Sequence, residues 1–536
     1  MSGGALEKRA AVTQLDLSSY ALFQRIEEGR GAHTAIRFGE RSWSYQEVAD
    51  RSLAFARALL AAGLHPGDRL YIALPDTPPF AWVFFGALRA GATVALGNPD
   101  APTNTLSETI EYLQARYLVT TPEVERALGA AARAILTQYW LVPDVETGAD
   151  PEAPLESARA LRAEISSLEG SQDPLPPPPP ADAPALWLFT SGSTGRPKAA
   201  MHCHRDFIFN CERYAKGVIG YQESDITVSV PRLFFGYATG TNLIFPFAVG
   251  ASVGLFRERP TAARLVEMVN HYQATFLTNV PTLMQRILKL DEEQPVSLAT
   301  VRASLSAGEA LPPALLDTWS ARFSVPVYDG IGSAEMFHIY LTNRPGDVRP
   351  GSLGRPVEGY MLRICDPAAD HPIPLNQPGA IGRLWISGES VAQGYWLDRD
   401  KSWETFHGRW CRSGDLFSVD EEGYYWFHGR ADDLLKVGGR WLNPQEVERC
   451  LMRHEGVEEA AVVGAEEEGL VRPVAHLTLH PEYTADERLV EALKSWVKSE
   501  LEPYKYPREI YFHQALPRND RGKIDRRALR EDPSLR

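Results

Sequence analysis

The chain has 536 residues and a formal net charge of −14 at pH 7. A chain of this length can bury a large core and form several domains. The acidic balance argues against nucleic acid as a partner, because nucleic-acid binding requires a broad basic face. Five scattered cysteines without a CxxC pair are typical of a protein from a reducing cytosol.

Two features decide the expected compartment. The first residues lack the apolar core of a signal peptide. The most hydrophobic stretch, residues 79–96, contains Arg89 and is short for a bilayer span, so it predicts a buried helix that runs into a strand. We therefore expect a cytoplasmic protein with no membrane partner. The His-Cys-His cluster at residues 202–204 lacks distant partner ligands, so we do not expect a zinc site.

Helical patterns alternate with short apolar runs over most of the chain. Residues 69–74, 251–256 and 274–278 are examples of the apolar runs. Alternation of this kind predicts an α/β fold with parallel or mixed sheets covered by helices. Five consecutive prolines at residues 176–180 predict an extended polyproline tether, and a docking motif for a proline-binding partner is the alternative.

A loop dense in hydroxyls and glycines follows the apolar run at residues 185–189. Residues 190–198 have the sequence Thr-Ser-Gly-Ser-Thr-Gly-Arg-Pro-Lys. Glycines let backbone N–H groups approach a charged ligand, hydroxyls add donors and the lysine adds a cation, so this loop predicts a polyphosphate site at the end of a strand. The common G-x-x-x-x-G-K-[ST] loop does not fit, because Pro197 and Ala199 occupy its second glycine and its hydroxyl position. A solvated linker is the alternative.

Further short motifs follow in chain order. Alone, the Gly-Asp and Gly-Lys pairs among them would indicate only turns. The motifs are residues 231–242 (PRLFFGYATGTN), 306–312 (SAGEALP), 328–335 (YDGIGSAE), 412–415 (RSGD), 429–430 (GR) and 517–524 (PRNDRGKI). Beyond residues 429–433 the pattern changes to a compact α+β unit, in which Asn443 is expected to cap a helix that starts with Pro444.

This ordered set resembles the adenylate-forming superfamily, which includes acyl-CoA synthetases, luciferases and peptide-synthetase adenylation domains. The likeness covers nearly the whole chain, and residues 328–340 are closest to the form found in benzoate–CoA and 2-aminobenzoate–CoA ligases. It implies a large N-terminal domain at residues 1–431, made of α/β subdomains with mixed parallel sheets and a β-barrel-like part. It also implies a small mobile α+β domain at residues 432–536, which pivots at Asp432.

The resemblance assigns residues to a first half-reaction, in which a carboxylate and ATP form an acyl-adenylate. Lys523 is the implied catalytic residue, because it would bridge the two anions that must join. Glu335 would hold Mg²⁺, Asp415 would accept hydrogen bonds from the ribose hydroxyls, and Arg430 would support Asp415. The full set expected to bind ATP or AMP is Thr190, Ser191, Gly192, Ser193, Thr194, Gly195, Lys198, Ala307, Gly308, Glu309, Asp329, Gly330, Ile331, Gly332, Ser333, Asp415 and Arg430.

The second half-reaction transfers the acyl group to the thiol of coenzyme A. Rotation of the small domain would withdraw Lys523 and bring in residues 436–439, where the two glycines leave room for a pantetheine arm. The candidate contacts in this state are Lys436, Gly438, Gly439 and Trp441. A surface lysine and a core tryptophan are the alternative interpretations of the first and the last.

The acyl pocket is expected around residues 231–242 and 336–340. Bulky aromatic residues there imply a short pocket rather than a tunnel for an alkyl chain. The residues assigned to the substrate are Gly236, Tyr237, Ala307, Gly332, His338 and Ile339, and core packing is the alternative for Tyr237, His338 and Ile339. Gly236 stands where benzoate ligases commonly have alanine. We therefore expect an ortho-substituted benzoate such as 2-aminobenzoate (anthranilate) to be accepted at least as well as benzoate.

The predicted function is an ATP-dependent aryl-CoA ligase, an acid–thiol ligase that uses Mg²⁺ and releases AMP and diphosphate. An aryl adenylate ligase that loads a carrier-protein phosphopantetheine is the alternative, and free coenzyme A is favoured because no carrier domain follows Lys523. A non-catalytic sensor of aromatic acids would be expected to lose Lys523, Glu335 or Asp415, and all three are present. The sequence leaves open the preferred acid, a monomer or a homodimer, and a degradative or biosynthetic role.

Overall fold

The computed structural model describes residues 15–142, 158–190, 197–366, 374–375, 377–437, 440–467, 470–518 and 524–535. The chain divides into two compact units. The first comprises Met1–Leu362 and Ile386–Cys411, and the second comprises Arg363–Trp385 and Arg412–Arg536. None of the helices in the described ranges is long and apolar enough to cross a membrane.

A seven-stranded sheet lies in the first unit. Its strands, in spatial order, are Ala158–Ala160, Gln138–Leu141, Tyr117–Thr120, Arg69–Ala73, Thr93–Leu96, Pro184–Thr190 and Lys198–Cys203. All neighbours are parallel except the last two. The helices that precede or connect these strands are Tyr45–Ala61, Pro78–Arg89, Thr103–Leu113, Pro122–Ala127, Ala130–Ile135 and Leu161–Leu168. The hydrophobic stretch at residues 79–96 is thus a buried helix followed by a strand, as predicted.

A nine-stranded sheet also lies in the first unit. Its spatial order is Arg355–Pro356, Ile339–Thr342, Val327–Gly332, Ala303–Ser306, Phe276–Asn279, Ile226–Ser229, Ser252–Leu255, Thr34–Phe38 and Arg41–Ser44. The central strands are parallel, and the outer pairings are antiparallel. The α-helices of this part are Gln24–Glu27, His204–Asn210, Gly236–Thr239, Phe245–Val249, Ala262–Tyr272, Pro281–Glu293 and Pro313–Phe323. Ser19–Phe23, Cys211–Ile219 and Gly240–Ile244 are π-helical, and Ala334–Met336 is a 3₁₀ turn.

Pairs of parallel strands end side by side in the nine-stranded sheet, and this places the candidate site. Ser306 pairs with Asp329, so the turns that follow these two strands lie at the same edge. The carboxyl edge of a parallel sheet is where α/β proteins bind ligands.

A five-stranded sheet contains the strands Met361–Cys365, Gly382–Ser387, Trp410–Val419, Phe406–His407 and Tyr425–Arg430. The helix Arg399–Thr405 precedes its shortest strand. The strands Trp410–Val419 and Tyr425–Arg430 form an antiparallel hairpin, in which Asp415 pairs with Arg430.

The part of the second unit that follows Arg430 is a small α+β assembly. A three-stranded sheet of Val457–Glu467, Leu470–Leu479 and Glu509–Phe512 packs with the helices Pro444–Leu451 and Glu487–Glu500. The other elements are the hairpin Leu435–Val437 and Arg440–Leu442, the helix Arg526–Glu531, and the 3₁₀ turns Ala431–Asp433, Pro503–Lys505 and Pro533–Leu535. The predicted helix start is confirmed, because the Asn443 side chain accepts a hydrogen bond from the Gln445 N–H and Pro444 is the first helical residue.

Candidate functional site

The two ends of the predicted phosphate loop are held by neighbouring antiparallel strands. Thr190 ends a buried strand and pairs with Lys198, which begins the next strand. Ser191, Gly192, Ser193, Thr194 and Gly195 lie outside the described residues. The Lys198 ammonium lies 5.3 Å from the centre of the Tyr395 ring. The Lys198 ammonium therefore lies at this edge of the sheet, at the end of the loop.

Glu335 lies in a short 3₁₀ turn and is joined to the same tyrosine. The Tyr395 hydroxyl donates a hydrogen bond to Glu335 Oε1 at 2.7 Å. Burial, together with the adjacent Glu335 charge, raises the pKa of Tyr395, so this hydroxyl stays protonated and remains a donor. The side chain of Tyr395 therefore orients one carboxylate oxygen of Glu335.

The half-buried Glu335 carboxylate suits the Mg²⁺ that the resemblance implies. Its second oxygen, Oε2, has no hydrogen bond to any described residue. Magnesium is commonly held by one or two carboxylates together with substrate phosphates. Within the described ranges no cluster of three or more metal-ligating side chains exists. Glu335 is thus the described residue that would hold Mg²⁺, and the ion would neutralise charge on the nucleotide phosphates.

The predicted adenine-side turn follows the strand Ala303–Ser306. Ala307 is buried, whereas Gly308 is exposed and has a φ of +89°, a conformation that favours glycine. The Glu309 carboxylate accepts hydrogen bonds from the backbone N–H and the hydroxyl of Thr282, at 3.0 and 2.7 Å. Glu309 therefore also holds the beginning of the helix Pro281–Glu293.

The neighbouring segment, residues 329–333, combines a buried acid with close backbone approaches. Burial raises the pKa of Asp329 to about 7, and its Oδ1 has no hydrogen-bond partner among the described residues. A Cβ added at Gly332 would lie 2.5 Å from the His338 carbonyl oxygen, so no larger residue fits there. Gly332 pairs with Ile339 across an irregular antiparallel ladder that also includes Ile331.

Two of the residues predicted for the ring pocket, Tyr237 and His338, lie in contact with each other. The His338 and Tyr237 rings lie 5.3 Å apart, and His338 Nε2 lies 3.0 Å from the Tyr237 carbonyl oxygen. A carbonyl can only accept, so Nε2 carries the hydrogen and Nδ1 is the free acceptor of the ring. Burial lowers the pKa of His338 to about 3, which keeps the imidazole neutral at physiological pH.

Two polar atoms of this pocket are buried without partners among the described residues. They are His338 Nδ1 and the Tyr237 hydroxyl. Burial raises the pKa of Tyr237, so the hydroxyl remains a donor. An unsatisfied buried polar atom costs free energy, and a ligand that supplies the missing partner removes that cost.

Gly236 begins a short helix beside the pocket. A Cβ added there would lie 3.4 Å from both methyl carbons of Leu188 and 3.6 Å from the Phe337 carbonyl oxygen. These are ordinary contact distances, so the glycine leaves a space of about one methyl group.

The predicted ribose site belongs to the second unit. Arg430 donates a hydrogen bond from Nη1 to Asp415 Oδ1 at 3.0 Å. A Cβ added at Gly414 would lie 2.5 Å from the Arg430 guanidinium. The resemblance assigned Arg430 to the support of Asp415, and their side chains are in contact.

The predicted catalytic lysine and some of the residues predicted for thioester formation lie outside the described ranges. Gly438, Gly439 and Lys523 lie outside the described residues. Lys436 and Trp441 pair across the hairpin Leu435–Val437 and Arg440–Leu442. The expected hinge residue, Asp432, lies in the 3₁₀ turn Ala431–Asp433.

Sequence reasoning missed two contributors. Tyr395 belongs to none of the recognised motifs, and it reaches Glu335 from 60 residues away. His202 donates a hydrogen bond from Nε2 to the carbonyl oxygen of Ala334 at 2.7 Å, and Ala334 directly precedes Glu335. The only sequence signal for His202 is its place in the His-Cys-His cluster at residues 202–204.

Comparisons with known proteins identify the family to which this chain is similar. The model of the AMP-binding enzyme family matches residues 23–396, and that of the AMP-binding enzyme C-terminal domain matches residues 446–523. A benzoate–CoA ligase from Thauera aromatica is 40% identical and covers 94% of this chain and 93% of its own length. An anthranilate–CoA ligase from Pseudomonas aeruginosa is 34% identical and covers 88% of each.

A solved structure extends the likeness to three dimensions. The crystal structure of the anthranilate CoA ligase AuaEII in complex with anthranoyl-AMP matches with a TM-score of 0.86 at 31% identity, and the match covers 96% of this chain and 97% of that one. The predicted fold class, mixed α/β with parallel sheets, a β-barrel-like part and a small C-terminal α+β domain, is confirmed.

Proposed function

The chain belongs to the AMP-binding enzyme family, and we propose that it is an ATP-dependent acid–thiol ligase that joins an aromatic carboxylic acid to coenzyme A. The similarity to aryl-CoA ligases over nearly the full length of both chains is the observation that carries the reaction. The juxtaposition of Lys198, Tyr395 and Glu335 at one strand edge supports it.

The chemistry divides into two half-reactions. In the first, the carboxylate displaces diphosphate from ATP and forms an aryl-adenylate. Both reacting groups are anionic, so positioned cations must offset their repulsion, and we assign Lys523 and Lys198 to this task. Mg²⁺ bound at Glu335 would supply further neutralisation of the phosphates. In the second half-reaction the coenzyme A thiol attacks the acyl carbon and releases AMP.

The pocket supports benzoate or an ortho-substituted benzoate, such as 2-aminobenzoate, as the acid. The Tyr237 and His338 rings are of the kind that packs against an aromatic acid, and Gly236 leaves room for one further methyl-sized group. The unpartnered His338 Nδ1 is an acceptor and the Tyr237 hydroxyl is a donor. An amino or hydroxyl substituent can donate to the first, whereas a methyl group cannot.

The test is a comparison of specificity constants for benzoate, 2-aminobenzoate, 2-hydroxybenzoate and 2-methylbenzoate with free coenzyme A as the acceptor. We expect activation of benzoate and of the two polar ortho acids, and weaker activation of 2-methylbenzoate. Rejection of every ortho-substituted acid would contradict the assigned pocket. Absence of diphosphate release with all four acids would contradict the proposed reaction.

A further inference from the structure

The turn that carries Glu335 and His338 has a strained backbone. Between them Phe337 adopts φ +67° and ψ −58°, although it is neither glycine nor exposed. A non-glycine residue keeps such a conformation only where the surrounding structure enforces it. The centre of the Phe337 ring lies 4.4 Å from the centre of the Phe207 ring. The carbonyl oxygen of the next residue, His338, lies so close to Gly332 that a Cβ added there would be only 2.5 Å from it.

Hydrogen bonds from outside the turn hold most of its carbonyl groups. Four of the six residues from Ala334 to Ile339 have a carbonyl that accepts such a bond. The pairs are His202 Nε2 with Ala334 O at 2.7 Å, Ala392 N with Glu335 O at 2.8 Å, Ser390 Oγ with Met336 O at 2.9 Å, and Asn210 Nδ2 with Ile339 O at 3.1 Å. The bonds lie along the whole turn, so its backbone is fixed at both ends.

Among these donors, His202 bonds the carbonyl of the peptide group that leads into Glu335. It is buried, and its Nδ1 lies 3.0 Å from Asp206 Oδ2. Asp206 is held in turn by the backbone N–H of Cys203 at 3.1 Å and by the Cys203 thiol at 3.2 Å. The imidazole therefore has a fixed orientation, with Nε2 directed at the Ala334 carbonyl.

We propose that His202, oriented by Asp206, is a positioning residue that sets the direction of the Glu335 carboxylate. The Ala334 carbonyl belongs to the peptide group that links Ala334 to Glu335. Holding this carbonyl fixes the peptide plane from which the Glu335 side chain departs, and the Tyr395 hydroxyl then fixes the carboxylate itself. The proposal rests on the proposed function through one premise, which is that Glu335 serves a divalent cation.

Two substitutions at the same position separate positioning from packing. The amide nitrogen of His202→Gln takes the place of Nε2 and retains a donor for Ala334 O. The amide of His202→Asn takes the place of Nδ1, so it keeps the contact with Asp206 and loses the bond to Ala334. Cys203→Ser is the control, because the hydroxyl retains a donor to Asp206.

The readout is binding of α,β-methylene-ATP to the full-length protein, measured with Mn²⁺ and again with EDTA. The electron paramagnetic resonance signal of free Mn²⁺ gives the metal affinity independently of catalysis. We expect His202→Asn to weaken metal-dependent binding about tenfold, the scale of losing an outer-shell partner, while binding in EDTA is unchanged. His202→Gln and Cys203→Ser should match the wild type.

Three results would overturn the proposal. Equal losses in His202→Asn and His202→Gln, or equal losses with Mn²⁺ and with EDTA, would mean that His202 only packs the core. A wild-type protein whose nucleotide affinity is the same with and without Mn²⁺ would remove the premise about Glu335. Failure of the proposed function is a separate result, since it would appear as absent acid activation with metal-dependent nucleotide binding intact.

Discussion

Burial of the Asp329 carboxyl has a consequence for stability. Burial raises its pKa to about 7, whereas an aspartate in an unfolded chain titrates near 4. The folded state therefore binds more protons than the unfolded state between these values. The stabilising contribution of the protonated carboxyl is complete below about pH 4 and is lost as the pH rises through about 7.

The first prediction concerns Asp329→Asn, which cannot ionise. Without nucleotide, the variant should gain stability relative to the wild type as the pH rises from about 5 to 8, by up to about 3 kcal/mol at roughly 1.4 kcal/mol per pKa unit. Urea unfolding midpoints across this range measure the difference. Asp317→Asn, an exposed substitution, is the control for loss of a charge. Curves that stay parallel would contradict the prediction.

Gly236 carries the second prediction at this scale. The alanine of Gly236→Ala would meet Leu188 and the Phe337 carbonyl at ordinary contact distances, so it should fold normally while filling the space beside the ring. We expect the specificity constant for 2-aminobenzoate to fall relative to that for benzoate by about 5- to 150-fold, the range for one methyl-sized change. Equal effects on both acids would show that the ortho group lies elsewhere.

The motifs identify residues but not the partners that orient them. Glu335 and Asp415 could be predicted because each lies in a short recognisable segment. Tyr395 and His202 could not, because they act on the Glu335 segment from 60 and 132 residues away in the chain. Such contacts form only when the sheets have formed, so the spacing of residues within a motif does not predict them.

At the scale of elements, the hairpin Trp410–Val419 and Tyr425–Arg430 presents Asp415 beside Arg430. The ion pair is half exposed on the arginine side, so it contributes at most about 1 kcal/mol to stability. Gly414 is the neighbour that makes the contact possible, because a Cβ there would occupy the position of the guanidinium.

The third prediction is that Gly414→Ala displaces the Arg430 guanidinium without unfolding the hairpin. Arg430 is flexible at its end, so the side chain can move away. We expect the KM for ATP to rise roughly fivefold, the effect of about 1 kcal/mol in one hydrogen bond, with a thermal midpoint close to that of the wild type. Arg430→Ala should reproduce the change in KM. A rise in the KM for ATP in only one of the two variants would show that Gly414 does not act through Arg430.

Elements with a strong hydrophobic period were predictable. The apolar runs at residues 69–74, 251–256 and 274–278 correspond to Arg69–Ala73, Ser252–Leu255 and Phe276–Asn279. The π-helical segments Cys211–Ile219 and Gly240–Ile244 had no such signal. A π-helix has i→i+5 hydrogen bonds, and the pattern of apolar residues over one or two turns does not distinguish it from an α-helix.

At the scale of the whole molecule, the sequence indicated a large unit followed by a small one. The second compact unit includes the α+β assembly and also the 412–430 hairpin with residues 363–385. The expected hinge at Asp432 stays a prediction. The division into two compact units describes how the chain packs, whereas a hinge is defined by motion between two states. The last motif, at residues 517–524, contains Lys523, whose catalytic role stays a prediction.

The fourth prediction separates the two half-reactions through Lys523. If this lysine enters the site only for adenylation, Lys523→Ala should raise the activation free energy of aryl-adenylate formation. The increase should be at least the roughly 3–4 kcal/mol that is typical of losing one charge-stabilising donor. Thioester formation from presynthesised aryl-adenylate should remain close to the wild-type rate. Diphosphate release and coenzyme A consumption measure the two steps independently.

Lys505→Ala is the control for this prediction. It removes a lysine that is paired with Glu446 in the same unit, and it should leave both steps unchanged. Equal losses in the two half-reactions of Lys523→Ala would mean that the lysine stays at the site throughout, and the domain rotation would then have no role in exchanging it.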